Sequence, residues 1–519
     1  MKPHTSLDRR HFLLGSAALA SACWLSGKAT GAVARRLSLQ DDPFQMGVAS
    51  GDPDEHGFVL WTRLAPRPFE GGGMPDQAVE VGWEVAADET FHSVVQKGIF
   101  HATPALAHSV HIEVVGLKPD RWYFYRFHAA GQTSPVGRAR TFPRRDVMPS
   151  QLRLAFASCQ HYEQGFYTSL QHLAQEDLDI CIHLGDYIYE GPARKNGVRQ
   201  HQGREITTLE EYRQRFALYR SDPHLQAAHA AMPWLVTWDD HEFDNNYAGE
   251  ISEEEGIDRA AFLRRREAAY QAYYENMPLR SSALPAGPQL RLFRSLPFGR
   301  LAQLAVLDTR QYRTDQPNGD KRGPLVGDVF SPTAEMLGAS QEQWLQTELL
   351  QSPATWNVLA QQVMMGRIDR IPGPEFGYSM DQWSGYDVPR RRLLSFLEEQ
   401  KIANPIVLTG DIHCSWVNDL KVDFDRPDAP VVATEFVGTS LSSGGDGQDQ
   451  HEGVPQILAE NPFVKFYNGQ RGYVRCTVTP ERWVADYRVV PFVTRPDAPI
   501  QTRASFAVAA GQCGAEQIA

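Results

Sequence analysis

The sequence predicts a layered α/β catalytic body preceded by a small all-β domain, and three observations carry that reading. Five short apolar runs between residues 154 and 410 have the length and composition of buried strands. Segments with helical start and stop signals alternate with them. Upstream, from about Leu39 to Phe142, apolar residues alternate with others and turn signals recur about every ten residues.

The bulk numbers set the frame. A chain of 519 residues is too long for one ordinary core, so two domains are expected. Hydrophobic residues at 42% and charged residues at 22% are ordinary for a globular protein. A formal net charge of −12 argues against nonspecific nucleic-acid binding through a basic surface. It leaves room for a local basic pocket that takes one phosphate group.

In chain order, the first element is a targeting segment. Arg9-Arg10 precedes Phe12-Leu13-Leu14, an Ala-rich stretch from Gly15 to Leu25, and the small-residue cleavage site Ala32-Val33-Ala34. The stretch is too short to span a membrane. Residues 1–34 resemble a bacterial twin-arginine (Tat) export signal, which implies the Tat machinery as a partner and a periplasmic or secreted protein. No other segment reads as transmembrane.

The all-β region follows. Val79, Val81, Trp83 and Val85 alternate with other residues, as do Val110, Ile112 and Val114. Trp122–Phe127 is an aromatic strand after the turn Leu117-Lys118-Pro119-Asp120. The stretch is similar to fibronectin type III and related sandwiches. The predicted boundaries are 39–143 for this domain, 150–500 for the catalytic body and 501–519 for a C-terminal tail, with Phe142–Pro149 as linker.

Within the catalytic body, Asp258–Glu275 and Val388–Gln400 read as helices, the second opened by Pro389 and closed before Asn404-Pro405. Ser340-Gln341-Glu342-Gln343 reads as a capping box ahead of Trp344, Leu345 and Leu349. Thr439–Gly453 reads as a surface loop.

Each apolar run ends in a potential metal ligand. Leu154–Ser158 runs into Cys159, and Ile180–Gly185 into Asp186 and then Tyr189. Trp234–Trp238 runs into Asp239-Asp240-His241-Glu242, Trp356–Ala360 into Gln361-Gln362, and Ile406–Gly410 into Asp411-Ile412-His413. In layered α/β proteins ligands bind at the carboxyl ends of such strands. Taken alone, an Asp after a strand caps a helix as often as it binds metal. Recurrence at five strand ends is what points to a multinuclear site. Thiolate and phenolate favour Fe³⁺, while carboxylates and an amide oxygen suit Ca²⁺, Mg²⁺ or Mn²⁺. Paired ions of this kind stabilise attacking and leaving oxygens in displacement at phosphorus. Six cysteines do not change that reading. Cys23 leaves with the signal, and the five that remain are odd in number, sparse and free of Cys-x-x-Cys pairs. Cys181, inside an apolar run, reads as a core residue.

Phe156-Ala157-Ser158-Cys159, Leu184–Glu190, Thr237–Glu242, Leu307–Arg313 and Leu408–His413 resemble the signature blocks of the PhoD-like alkaline phosphatase D family, in family order. The resemblance implies a metallophosphatase sandwich of two β-sheets flanked by helices. It implies an exported alkaline phosphatase or phosphodiesterase that cleaves phosphate esters by metal-activated hydroxide attack at phosphorus. The cofactors it implies are Fe³⁺ and Ca²⁺, two of the latter. Carried over, Cys159, Asp186, Tyr189 and His413 would hold Fe³⁺, and Asp186 would bridge to Ca²⁺. Asp240, Asp411 and Gln361 or Gln362, with Gln362 preferred, would complete the divalent side. His241 would hydrogen-bond the phosphate or protonate the leaving alkoxide, and Arg310 would either grip phosphate or serve a structural ion pair. Two rival readings are a purple acid phosphatase-type enzyme, against which Asp240 and Asp411 speak, and an inert secreted binding protein stabilised by metal.

Overall fold

The computed structural model describes residues 41–519, and the export signal expected over 1–34 lies outside them. The N-terminal region is all-β as expected, with strands β1 (Val48–Asp54), β2 (Gly57–Arg63), β3 (Val79–Ala86), β4 (Val94–Ala102), β5 (Ser109–Val114), β6 (Trp122–Ala129), β7 (Gln132–Thr133) and β8 (Gly137–Arg140). The catalytic body opens with β9 (Leu152–Ala157), β10 (Ile180–Leu184) and β11 (Trp234–Thr237). It continues with β12 (Arg294–Phe298), β13 (Ala302–Val306), β14 (Trp356–Gln361), β15 (Pro405–Thr409), β16 (Ser415–Leu420), β17 (Ala433–Val437) and β18 (Val464–Asn468). It closes with β19 (Arg471–Val478), β20 (Arg482–Val490), β21 (Gln501–Ala509) and β22 (Glu516–Gln517).

Two sheets carry the body. One has the order β22-β21-β20-β19-β9-β10-β11-β1-β2-β5, the other β12-β13-β14-β15-β17-β16-β18. Alternation along each strand explains the layers. Ile180, Ile182 and Leu184 of β10 enter a core shared with Val358 and Ala360 of β14 and Ile406 and Leu408 of β15, so this core lies between the sheets. Cys181 points the other way, into an outer core under the helix Arg259–Asn276 and its neighbours, and is the plain core residue expected. Leu359 and Val407 point outward beneath the helices Gly338–Gln351 and Asp387–Glu399. The result is helix, sheet, sheet, helix, the two-sheet sandwich the resemblance implied.

The N-terminal strands divide between sheets. β1, β2 and β5 continue the larger catalytic sheet through a parallel pairing of Gly51 with Trp234. β3, β4, β6 and β7 form a separate five-stranded sheet with β8 on β6. At the other end, residues 501–519 were expected as a tail. Instead β21 pairs along β20, and β22 along β21.

The helix Arg259–Asn276 starts one residue after the expected position, because the Asp258 carboxylate caps it from 2.8 Å on the Ala261 N–H. The helix Asp387–Glu399 lies one residue ahead of the expected span. The capping box at Ser340 does not form, since that helix starts at Gly338 with no side-chain cap. Gln341 is drawn inward, where it bonds both the N–H and the carbonyl of Asp308 at 2.8 Å. Glu342 pairs with Arg392. The expected surface loop is also partly corrected. Thr439, Ser440, Ser442 and Ser443 are buried, and only the residues beyond them turn outward.

Candidate metal centre

β9, β10, β11, β14 and β15 are parallel within their sheets, and the first three and last two bring their carboxyl ends to one edge of the sandwich. The side chains there are held by unusual backbone. Cys159, Asp186, Asp411 and His413 have φ of 59°, 56°, 64° and 59°. Non-glycine residues rarely occupy this left-handed region, at a cost of about 1–3 kcal/mol each, and such residues cluster at functional sites. Two glycines let the strand ends close up. A Cβ on Gly185 would lie 2.4 Å from the Asp239 N, and one on Gly410 would lie 2.7 Å from the Ser158 Oγ.

Glu242 ties two of these ends together. Its carboxylate accepts from the N–H groups of Asp239 at 2.8 Å, Asp186 at 3.1 Å and Tyr187 at 2.5 Å. Burial pushes this carboxyl up to about 7 against those three donors.

On one side, the ligand atoms of Cys159, Asp186 and His413 lie within 4.8 Å of one another. The Tyr189 hydroxyl joins them, donating to Asp186 Oδ2 at 2.7 Å with His413 Nε2 at 3.2 Å. Ser443 Oγ sits 2.7 Å from that hydroxyl and 2.8 Å from the Cys159 carbonyl oxygen. Burial pushes the Cys159 thiol, the Tyr189 phenol and the Asp186 carboxyl well above their ordinary ranges. The negative charge of Asp186 adds to this at Cys159 and Tyr189. Burial, then Arg471, holds His413 down at about 3, so its imidazole is neutral.

On the other side, Asp239, Asp240 and Asp411 form a second group within 4.8 Å, and Asp186, Asp240 and His241 a third that shares Asp186 and Asp240. Arg310 is fully buried among these carboxylates. It pairs with Asp239, with Asp381 at 2.7 Å, Asp411 at 3.2 Å and Asp240 at 3.6 Å. Burial opposes the charge on Arg310, and the four aspartates more than restore it. Of the two expectations for Arg310, the structural ion pair is therefore the one its contacts match. Burial also raises Asp411, to about 6, with Arg310 working against it. His241 Nδ1 lies 2.8 Å from Glu190 Oε2.

Gln362 is not among these groups. Its Oε1 accepts from both the N–H and the hydroxyl of Thr309, at 2.9 and 2.7 Å, and its amide nitrogen donates to Thr237 Oγ1 and the Leu307 carbonyl. Both lone pairs are used, which leaves none for a cation. Gln361 is likewise engaged with Trp383, Val363 and Thr409. The two glutamines tie strand ends together instead of facing the centre.

The donor set fits cations. Asp186 Oδ1, Asp239 Oδ2 and Asp240 Oδ1 are buried without a hydrogen-bond partner, a costly state that a bound cation relieves. Thiol, phenol and carboxyl crowd one point and neutral imidazole completes it, which matches a strongly acidic ion. Carboxylates alone crowd the other, which matches a hard divalent ion.

Several participants escaped the sequence reading. Asp239 sits one residue before an assigned ligand. Glu190 directly follows the assigned Tyr189, and Asp381 and Ser443 come from loops with no strand-end signal. A further buried group, His161, Glu163 and His201, adjoins the first side, with the His161 ring 4.3 Å from that of Tyr189. Among the described residues no helix is long and apolar enough to cross a membrane, and all five cysteines are free.

Comparison with known proteins accords with this centre. Residues 154–487 match the model of the PhoD-like phosphatase family, and residues 30–143 match that of its N-terminal domain. Alkaline phosphatase D of Bacillus subtilis (strain 168) is 50% identical over 524 residues, covering 99% of this chain and 90% of the relative. A solved structure described as that of PhoD is 52% identical with a TM-score of 0.91, covering 93% of each chain. With both regions matched and half of all residues shared over nearly the full length, the chain belongs to the PhoD-like phosphatase family.

Proposed function

We propose that this phosphoric ester hydrolase carries out its reaction at the edge where Asp186 joins the two halves of the centre. The observation that supports this reading is that Asp186 belongs both to the Cys159–His413 group and to the Asp240–His241 group. A carboxylate so placed can bridge two cations. Cys159, Asp186, Tyr189 and His413 would hold Fe³⁺, and Asp186, Asp239, Asp240 and Asp411 would hold Ca²⁺. Bound there, the cations would supply the Lewis acidity that activates water and neutralises charge developing on a phosphoryl group.

The chain's own residues do the rest. Arg310 balances four carboxylates that could not otherwise share one buried floor. Glu190 fixes the His241 ring, which lies within 4.8 Å of Asp186 and Asp240 and is placed to hydrogen-bond a phosphate ester or protonate its leaving oxygen. The Tyr189 ring packs between those of His161 and His241, at 4.3 and 4.2 Å, and walls the site from that side. The Arg9-Arg10 segment takes the folded protein to the periplasm or beyond through the Tat route, and replacing both by lysine should leave precursor in the cytoplasm.

The test is hydrolysis of p-nitrophenyl phosphate and bis(p-nitrophenyl) phosphate by the purified protein before and after chelation, with elemental analysis alongside. Activity lost on chelation and regained with iron and calcium is expected. Full activity in protein stripped of both metals would overturn the reading.

A further inference from the structure

The centre is strongly acidic, and a phosphate ester must approach it as an anion. The cations on its floor are consumed. Arg310 faces four aspartates, Arg313 pairs with Asp381 at 2.7 Å, and Arg471 donates to the carbonyls of His413 and Gly445. Two arginines nearby are different. Among the described residues, neither Arg322 nor Arg370 has a side-chain hydrogen bond or an ion pair. That sets them apart from the many arginines here that face a carboxylate.

Geometry places these two together beside the carboxylate half of the centre. Their loops are clasped by an antiparallel bridge in which Gly323 and Tyr378 exchange backbone hydrogen bonds of 3.1 and 3.0 Å. Asp320, two residues before Arg322, accepts from Asn246 Nδ2 at 2.5 Å, and the Asn246 N–H donates to Asp240 Oδ2 at 2.8 Å. Asn318 on the same loop reaches Met380 Sδ at 3.7 Å, and Met380 adjoins Asp381, which Arg310 holds. Both loops are therefore anchored to side chains of the centre itself. Arg322 is exposed and Arg370 half-buried. The Arg370 N–H donates to the Gly377 carbonyl at 3.4 Å, next to Tyr378 of the bridge, while Arg322 directly precedes Gly323, so the two arginines flank one backbone clasp. Two like charges held on one clasp without a carboxylate partner repel, and an anion shared between them removes that cost.

We propose that Arg322 and Arg370 form an anion subsite at the rim of the centre, which takes a second phosphate carried on the alcohol part of a phosphate ester substrate. The planar guanidinium fork matches phosphate oxygens in pairs. The inference rests on the phosphoesterase reading and names a specificity device within it. Substrates with two phosphates would be gathered by the rim while one phosphate enters the floor.

The experiment compares hexanediol bisphosphate with hexanediol monophosphate, which differ by one phosphate, in the metal-loaded enzyme. Arg322→Ala with Arg370→Ala should lower the bisphosphate-to-monophosphate ratio of kcat/KM by about tenfold at low salt. The change should sit mainly in KM and shrink as salt is raised. Lysine at both positions should recover part of the ratio, which separates lost charge from damaged folding. An unchanged ratio in the double alanine variant, or an equal fall for both esters, would overturn the subsite. If the wild-type enzyme hydrolyses neither these esters nor p-nitrophenyl phosphate, the phosphoesterase reading itself fails and the subsite falls with it.

Discussion

The two halves of the centre solve the burial of charge in opposite ways. Around Cys159, Tyr189 and His413, protons do the work. Thiol, phenol and neutral imidazole crowd one point, the phenol hydroxyl is hydrogen-bonded with Asp186 and Ser443, and burial keeps all three uncharged. Around Asp239, Asp240, Asp381 and Asp411, a permanent cation does the work, because Arg310 cannot be deprotonated in practice. The first half can gain anionic ligands only by trading protons for a metal. The second is already charged, and its cation demand is partly met by the chain. Asp186 belongs to both, so it is where the difference can be broken outright.

Replacing Asp186 by asparagine keeps the shape and removes the shared charge. Turnover of p-nitrophenyl phosphate should fall by roughly 10³-fold, the upper end of what losing one charge-stabilising group costs. Elemental analysis should show loss from both halves. Loss confined to iron, with calcium intact, would mean that Asp186 serves one half only.

The contrast is sharpened by Arg310→Met. Removing one partner of a buried ion-pair network costs about 3–5 kcal/mol, because the others stay buried without it. Metal-free protein should melt markedly lower, and added calcium should recover more of the loss than it adds to the wild type. A variant with the wild-type melting temperature would show that the aspartates simply protonate and that Arg310 balances nothing.

How much of this was legible in the sequence follows from the same physics. Cys159, Asp186, Tyr189, Asp240, Asp411 and His413 each end or closely follow a buried parallel strand, and strands write a period into the sequence that marks their ends. The layered fold was legible for the same reason. Residues that reach the centre from loops left no such mark. Asp381 meets Arg310 across 71 positions, and Ser443 meets Tyr189 across 254. Ser443 lay in a polar stretch that reads as surface, yet its backbone and hydroxyl are spent on Cys159 and Tyr189, which is what buries it. The pairing of β1 with β11 was hidden likewise, since one contact between Gly51 and Trp234 joins distant segments. Strand-end position likewise cannot reveal that Thr309 donates to the Gln362 oxygen.

That last point makes a smaller, sharper test. Gln362→Leu leaves the Thr309 N–H and hydroxyl and the Thr237 hydroxyl short of a buried partner, so it should destabilise by about 1–3 kcal/mol. Metal content at saturation should stay at the wild-type level. Calcium lost at unchanged stability would restore Gln362 to the divalent half.

The smallest expected effect separates two tyrosines three positions apart at most from the same carboxylate. Tyr187 and Tyr189 are both buried just past β10, but the chain turns them to opposite sides. The Tyr187 hydroxyl lies 2.9 Å from His229 Nε2 and accepts from Arg220 at 3.2 Å, within the outer core. The Tyr189 hydroxyl faces Asp186, His413 and Ser443. A phenolate on Fe³⁺ gives a ligand-to-metal charge-transfer band in the visible range, so the iron-loaded protein should be coloured. Tyr187→Phe removes one hydroxyl from a buried pair and should cost about 1 kcal/mol in stability with the band intact. Tyr189→Phe should shift and weaken the band, because the phenolate contribution is lost while the Cys159 thiolate remains. Absorption spectra of the two variants at equal iron content decide the matter. A band unchanged in position and intensity in Tyr189→Phe would remove the phenolate from the Cys159 half and leave Tyr189 as a wall of the site alone.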